Sequence, residues 1–555
     1  MIYKCQICKE IKMGKSVKNV FLCKKCFEKI CLYNAASEGF RWWTESLVNN
    51  DVYQSTVDKV ILEKIEKDLK NRSIEEQKQQ VVYFLEEEIK RRLQFYHKDE
   101  VFVVLLAIKE SVRRTLLRDD ESPWLIIGDI TTINWLMKFA NDMSYFENHA
   151  MDELENECSN LANAICLARR YAIIVDNIEI DNKNTKSIEE ICFNPIQSEE
   201  MEKYFELYLK NGFGEKPEDY IIINPILHKK LEEEKKTPNK IIEGLNGLLK
   251  GEFGFERKDY QILRYELLKM EFPEEQNYWE WKDGKRSIFK DYPIFIMEKD
   301  LLSDLCEKDV LEKILQTFSI NRNINTHTNE KELELFCFYE IGNLLVFGNF
   351  DLSQVITIFE SFLISGHYID SYKQGLSEKR EVREAQRTLS KYFSACVSDW
   401  LLTCGYRLPM QKYMKEYIPI VEIDKIKVNR KNILLNELNQ RLGDIDVLAI
   451  NETKKEILLF ELKFFKPAIS MQDMLSRDKS QMDDNEVIRH MQERECVISA
   501  NTNEVVKFVL GEEQIGYTVK SVLLTSRTNF YAIQEDKIKC LTWTEFLEQV
   551  KKKEL

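Results

Sequence analysis

A chain of 555 residues, 44% hydrophobic and 31% charged, has room for about three or four domains with cores of their own. Its formal net charge of −14 excludes a generally basic nucleic-acid coat, though not an enzyme with a local basic patch. With no apolar run of about 18 residues or more and no leader-like N-terminus, a membrane span and secretion are not expected.

Fourteen cysteines are scattered through the chain, several within apolar patterns, such as Cys166, Cys337 and Cys396. This usage fits reduced core thiols of a cytoplasmic protein.

Residues 1–30 hold Cys5, Cys8, Cys23 and Cys26 as two Cys-x-x-Cys pairs. Each pair can present two thiolates from one turn, and four thiolates close a tetrahedral structural Zn²⁺ site. So short a segment needs a metal to fold. It resembles a zinc ribbon or a related knuckle. Gly14-Lys15-Ser16 lies in the same stretch, but Lys9 stands where a phosphate-binding loop needs another glycine.

Residues 31–185 read as a helical domain. Val81, Val82, Phe84, Leu85, Ile89 and Leu93 follow a helical stripe, and the pattern repeats over 101–117. Trp42, Trp43, Trp124 and Trp135 are expected core aromatics. Arg92 and His97 fall at Arg-x4-His spacing on a predicted helix, which resembles the motif of HEPN ribonucleases; Arg322 and His327 repeat it in a polar, loop-like stretch. A ribonuclease acting through Arg92 and His97 is therefore one alternative reading.

Residues 186–375 form a mixed α/β region without a chemical constellation. Short strands are expected at 219–223, 292–296 and 344–347, and Tyr278, Trp279 and Trp281 make an aromatic-rich segment that could stack bases. Residues 376–555 change character. A long amphipathic helix over 384–404 precedes strands at 417–423, 445–450 and 456–463. Helix follows over 483–511, then strands at 519–524, 531–533 and 538–541, and a last helix at 544–550.

The strands 445–450 and 456–463 carry charges in an apolar setting, and an unpaired buried charge is costly. Alternation puts Asp444 and Asp446 on one face and Ile445 and Val447 on the other; Glu461 and Lys463 share a face opposite Phe460 and Leu462. Paired carboxylates with water suit Mg²⁺, which polarises a phosphate and helps generate hydroxide. A lysine beside them can orient that water or neutralise developing charge.

The helix–strand–strand–strand–helix–strand order, with Gly443-Asp444-Ile445-Asp446-Val447-Leu448-Ala449 and Phe460-Glu461-Leu462-Lys463, resembles the PD-(D/E)xK nuclease superfamily over about a third of the chain. With the segments above, the expected fold is multidomain α+β: an N-terminal four-cysteine zinc module, a mainly helical middle, and, as the resemblance implies, a C-terminal α/β restriction-endonuclease-like core. The resemblance also implies a nuclease hydrolysing DNA with Mg²⁺ or Mn²⁺, plausible in bacterial defence against foreign DNA. Asp446, Glu461 and the backbone carbonyl of Leu462 are then the metal ligands and Lys463 the catalytic lysine. Asp444, His490 and Gln492 are accessory. Ile445 replaces the usual proline, and Tyr392–Trp400 lacks the glutamate that many members carry on the first helix. A non-cleaving nucleic-acid-binding scaffold is the other alternative, and a protein partner or a second copy of the chain is left open.

Overall fold

The computed structural model describes residues 2–4, 11–17, 20–23, 32–33, 35–36, 50–94, 96–115, 123–142, 154–180, 187–193, 213, 221–269, 294–324, 330–366, 368–428, 431–435, 442–464, 478, 482, 487–533 and 537–555. The chain is a mixed α+β protein, mainly helical with small sheets. It divides into two compact units that interleave along the sequence. One comprises Met1–Ser198 and Leu248–Phe359, the other Glu199–Gly247 and Glu360–Leu555. Among the described residues no helix is long and apolar enough to cross a membrane.

The first unit opens on an antiparallel meander, β1 (Ile2–Lys4), β2 (Ile11–Val17) and β3 (Val20–Cys23). Gly14, Lys15 and Ser16 lie inside strand β2 rather than in a phosphate loop, and Cys23 pairs with Gly14 at the end of β3. Cys5, Cys8 and Cys26 lie outside the described residues, as do Trp42, Trp43 and the aromatic segment 278–281.

Helices α1 (Asn50–Lys64), α2 (Ile74–Leu93), α3 (Lys98–Thr115), α4 (Pro123–Asp142) and α5 (Leu154–Ile180) follow. Ser73 starts α2 with a capping box to Glu76, and Val81, Leu85, Ile89 and Leu93 form its fully buried stripe. Trp135 packs with Phe139 and Tyr171. A three-stranded antiparallel sheet joins β4 (Ile294–Glu298), β5 (Tyr339–Ile341) and β6 (Leu344–Gly348), with β6 central.

Helix α3 is buried on every side over residues 101–110, yet Lys109, Glu110 and Arg113 bring charge into its packed faces. Lys109 Nζ donates to the Leu333 carbonyl at 3.1 Å and lies 3.6 Å from Asp351. Arg113 Nε lies 2.8 Å from Asp351, and its other end pairs with Glu334. Burial opposes ionising Glu334, but Arg113 and Lys109 keep its carboxyl below the ordinary value. Asn134 adds a 2.6 Å hydrogen bond to the same carboxylate. Glu110 accepts from the Phe350 and Asp351 N–H groups, at 3.0 and 2.7 Å, in the first turn of the helix Asn349–Ser365. A Cβ at Gly348 would meet Glu110 Oε2 at 2.3 Å, so the approach requires glycine.

In the second unit, α6 (Arg380–Thr403) ends at Gly405, whose φ of +93° suits a residue without Cβ. The hairpin β7 (Met410–Tyr413) and β8 (Glu416–Pro419) follows. The main sheet has the order β9 (Val447–Asn451), β10 (Glu456–Lys463), β11 (Thr518–Thr525), β12 (Lys539–Thr542). β9 and β10 are antiparallel; β10, β11 and β12 are mutually parallel. The β10-to-β11 connection contains α7 (Val487–Ser499) and α8 (Thr502–Leu510), and α9 (Trp543–Lys552) closes the unit.

Val447, Ala449, Leu458, Phe460 and Val522 pack in one core with Phe393, Cys396 and Val397 of α6 and Trp543 and Phe546 of α9. Phe213 joins that core, 4.8 Å from Phe393 and 5.0 Å from Trp543 between ring centres. Leu448, Ile450, Ile457 and Leu459 pack in another with Ile498, Val505 and Val506.

Three expected elements differ. Residues 221–224 are not a strand. The Ile223 and Asn224 N–H groups donate to Asp399 at 2.5 and 3.2 Å, and Asn224 caps the helix Pro225–Glu233. Capping chemistry outweighs β-propensity there. Phe530–Ile533 is a helical turn, with Asn529 Oδ1 accepting the Ala532 N–H at 2.8 Å. Helix α2 ends at Leu93, so His97 lies in the connection to α3 and not on a helix with Arg92.

The buried charges on α3 give a stability prediction. Arg113→Met leaves Asp351 and Glu334 short of a cation and should cost about 3–5 kcal/mol in urea unfolding. A cost as small as a surface pair's, under about 1 kcal/mol, would contradict this coupling.

Candidate active site

The β9–β10 register sets the site. Val447 pairs with Phe460, and one further antiparallel step puts Asp446 across from Glu461. Directly opposed residues project to the same face. Asp446 Oδ2 accepts the Leu462 N–H at 2.7 Å, which ties the carboxylate to the neighbouring strand. The Asp446 carbonyl accepts the Glu422 N–H at 2.9 Å, and Ile445 bridges to Ile423.

Lys463 Nζ lies 2.9 Å from Glu461 Oε1. Lys463 pairs with Thr525 in the parallel ladder, and its carbonyl accepts the Ser526 N–H at 2.8 Å. Asp446, Glu461 and Lys463 are therefore brought together. Leu462 belongs to the site through its backbone, while its side chain joins the core on the opposite face.

Simple alternation fails at one point. Ile445 packs with Leu448 and Ile450, whereas Val447 packs in the other core. Residue 446 is a bend before β9 begins, so Ile445 and Val447 do not share a face as expected. Asp444 is exposed and contributes its backbone carbonyl, not its carboxylate.

That carbonyl binds a residue that strand patterning does not reveal. Arg494 on α7 is buried and pairs with Glu461 Oε2. Its Nη1 also donates to the carbonyls of Asp444 at 3.0 Å and Leu442 at 3.3 Å. Gly443, at φ +87°, turns the chain there, and a Cβ on it would lie 2.7 Å from Arg494 Nη1. A signal was available: Val487, Met491, Arg494 and Ile498 form the buried stripe of α7, and an arginine on such a stripe needs a partner. His490, on the same helix, lies 3.6 Å from Glu493, and Gln492 is exposed.

The electrostatics follow from two carboxylates facing each other. Burial, with Glu461 opposite, pushes the Asp446 carboxyl up to about 7; the Leu462 N–H, Lys463 and Arg494 oppose the shift. Two acids and one adjacent backbone form a donor set that suits a hard divalent ion retaining several waters. Among the described residues no group of three or more His, Cys, Asp or Glu side chains is placed to hold a metal.

On α6, Ser394 and Ser398 donate to carbonyls of their own helix, and Asp399 accepts from the Ile223 and Asn224 N–H groups. In the other unit, Arg92 donates to Asn160 at 3.3 Å, while His97 Nδ1 accepts the Asp99 N–H at 3.3 Å. Arg322 is held by Glu340 and Glu312, and His327 lies outside the described residues.

No family model, curated protein or solved structure matches the chain.

Asp446 also makes stability depend on pH. Its folded value lies above the unfolded one, so the native state binds more protons between about 4 and 7, and stability falls as pH rises through that window. Asp446→Asn should therefore melt higher than the parent at pH 8, by about 2–4 °C for each kcal/mol recovered. The difference should vanish near pH 4. An equal difference at both pH values would remove the assignment.

Proposed function

We propose that the second unit is a metal-dependent DNA nuclease of the PD-(D/E)xK kind. The observation that carries this reading is Asp446 set opposite Glu461 by register, with Lys463 2.9 Å from the Glu461 carboxylate. The mixed four-stranded sheet, with α6 before it and α7 and α8 between β10 and β11, supports it.

Asp446, Glu461 and the Leu462 carbonyl are the residues that would hold Mg²⁺ or Mn²⁺. The ion would polarise a non-bridging phosphate oxygen and acidify a bound water. Arg494 pins Glu461 Oε2, leaving Oε1 beside Lys463. Lys463 orients the attacking water and neutralises charge developing on the phosphate. Holding the ion would require Asp446 without its proton. The same reading gives Cys5, Cys8, Cys23 and Cys26 a structural Zn²⁺ and places the activity in defence against foreign DNA.

A second reading, nucleic-acid binding without cleavage, is favoured by one observation: the one acid of Tyr392–Trp400, Asp399, is committed to backbone N–H groups.

Incubating the purified chain with plasmid DNA or RNA in Mg²⁺, Mn²⁺ or EDTA separates the readings. DNA cleavage should require the metal and fall by about 10²–10⁴-fold in Asp446→Ala and Lys463→Ala. Mg²⁺ should raise the melting temperature of the parent at pH 8 but not that of Asp446→Asn. Binding without cutting in every condition would favour the second reading. RNA cleavage in EDTA, lost only in His97→Ala, would overturn both.

A further inference from the structure

The first half of α6 carries Arg380, Arg383, Arg387 and Lys391, all exposed. Their three- and four-residue spacing lines them along one face of the helix. The opposite face, Val382, Ala385 and Leu389, is buried. The row spans about 16 Å at 1.5 Å per residue. It also has a defined end. Lys391 lies 2.9 Å from Glu422, whose N–H donates at 2.9 Å to the carbonyl of Asp446. The last cation is therefore paired with Glu422, whose backbone is tied to the main chain of Asp446, and the others lead away from it.

In a chain of net charge −14, this stretch is locally basic. Over residues 378–391 the exposed cations are Lys379, Arg380, Arg383, Arg387 and Lys391, and the carboxylates are those of Glu378, Glu381 and Glu384. Glu384 reaches Arg380 at 4.0 Å with both side chains largely exposed, an interaction of little strength in water. Among the described residues Arg383 and Arg387 have no acidic partner. Two guanidiniums on an exposed helix face, with no acidic partner among the described residues, are suited to phosphates.

We propose that this row is a backbone-tracking surface that holds one strand of duplex DNA and delivers it to Asp446 and Glu461. The inference rests on the nuclease reading and adds where the substrate lies. The row's length lets it follow a few successive phosphates of one strand. It contributes position and affinity without base specificity.

The test uses the full chain with Asp446→Ala to block cutting. Binding of a fluorescent DNA duplex is followed by anisotropy across a salt series. Arg383→Gln with Arg387→Gln should weaken binding tenfold or more and flatten the slope of log K against log salt by about 2. Arg383→Lys with Arg387→Lys should keep the slope. Lys412→Gln with Lys415→Gln removes two exposed cations elsewhere in the unit and should change neither. Melting temperatures should stay level, because both arginines are exposed and neither has an acidic partner among the described residues. An unchanged slope in the Gln pair, or an equal loss in the Lys412 and Lys415 control, overturns the surface. The nuclease reading is then still judged by metal-dependent cutting in the parent. Preferential binding of single-stranded RNA with the same loss of slope overturns the assignment to DNA. Failure of the parent chain to bind either nucleic acid overturns surface and nuclease reading together.

Discussion

Two carboxylates held face to face on adjacent strands repel each other, and the second unit is arranged around that repulsion. Asp446 and Glu461 are opposed by the register of β9 and β10, and that register is set by core packing along both strands, not by the acids themselves. Every neighbour then acts to make the pair tolerable. Arg494 takes one oxygen of Glu461, Lys463 lies beside the other, and the Leu462 N–H binds Asp446. What remains is a proton held on Asp446 near neutrality. An exposed acid pair would need none of this support, and a dry one would not ionise. The half-buried position leaves an acid that titrates near neutrality.

The first unit handles buried charge differently. Lys109, Arg113, Glu334 and Asp351 answer one another within a packed interior, and Glu110 closes the set on backbone N–H groups at a helix start. Charges so completely enclosed specify how α3 sits against its neighbours. They are not arranged for exchange with solvent or substrate.

Much of the second unit was legible because its signals are local. Apolar runs broken by turns marked β9, β10 and β11, and the 14-residue gap between Asp446 and Glu461 fits a short hairpin. Lys463 follows from period-two alternation. Arg494 did not emerge, since its partner lies 33 residues earlier in the chain and no periodicity joins a strand to the following helix. The break in alternation at Ile445 is a bend that only tertiary packing imposes. At 219–223 and 531–533, β-branched and aromatic residues suggested strands, but Asp399 and Asn529 hydrogen-bond the backbone at 223–224 and 532. The α3 network was illegible for a similar reason: Lys109 and Arg113 look like an outer face until the segments at 333–351 cover them.

Asp399 and Phe213 carry a consequence for how the protein is made. Both tie the segment 199–247 to elements of 360–555, across an insertion, 248–359, that belongs to the other unit. A ribosome therefore releases 199–247 long before its partners exist. Phe213 has no aromatic pocket until Phe393 and Trp543 have been synthesised. The unit bearing the carboxylate pair assembles late, through contacts distant in sequence and slow to close. During synthesis the cell holds a chain whose first unit has all its segments while the second cannot yet bring its acids together.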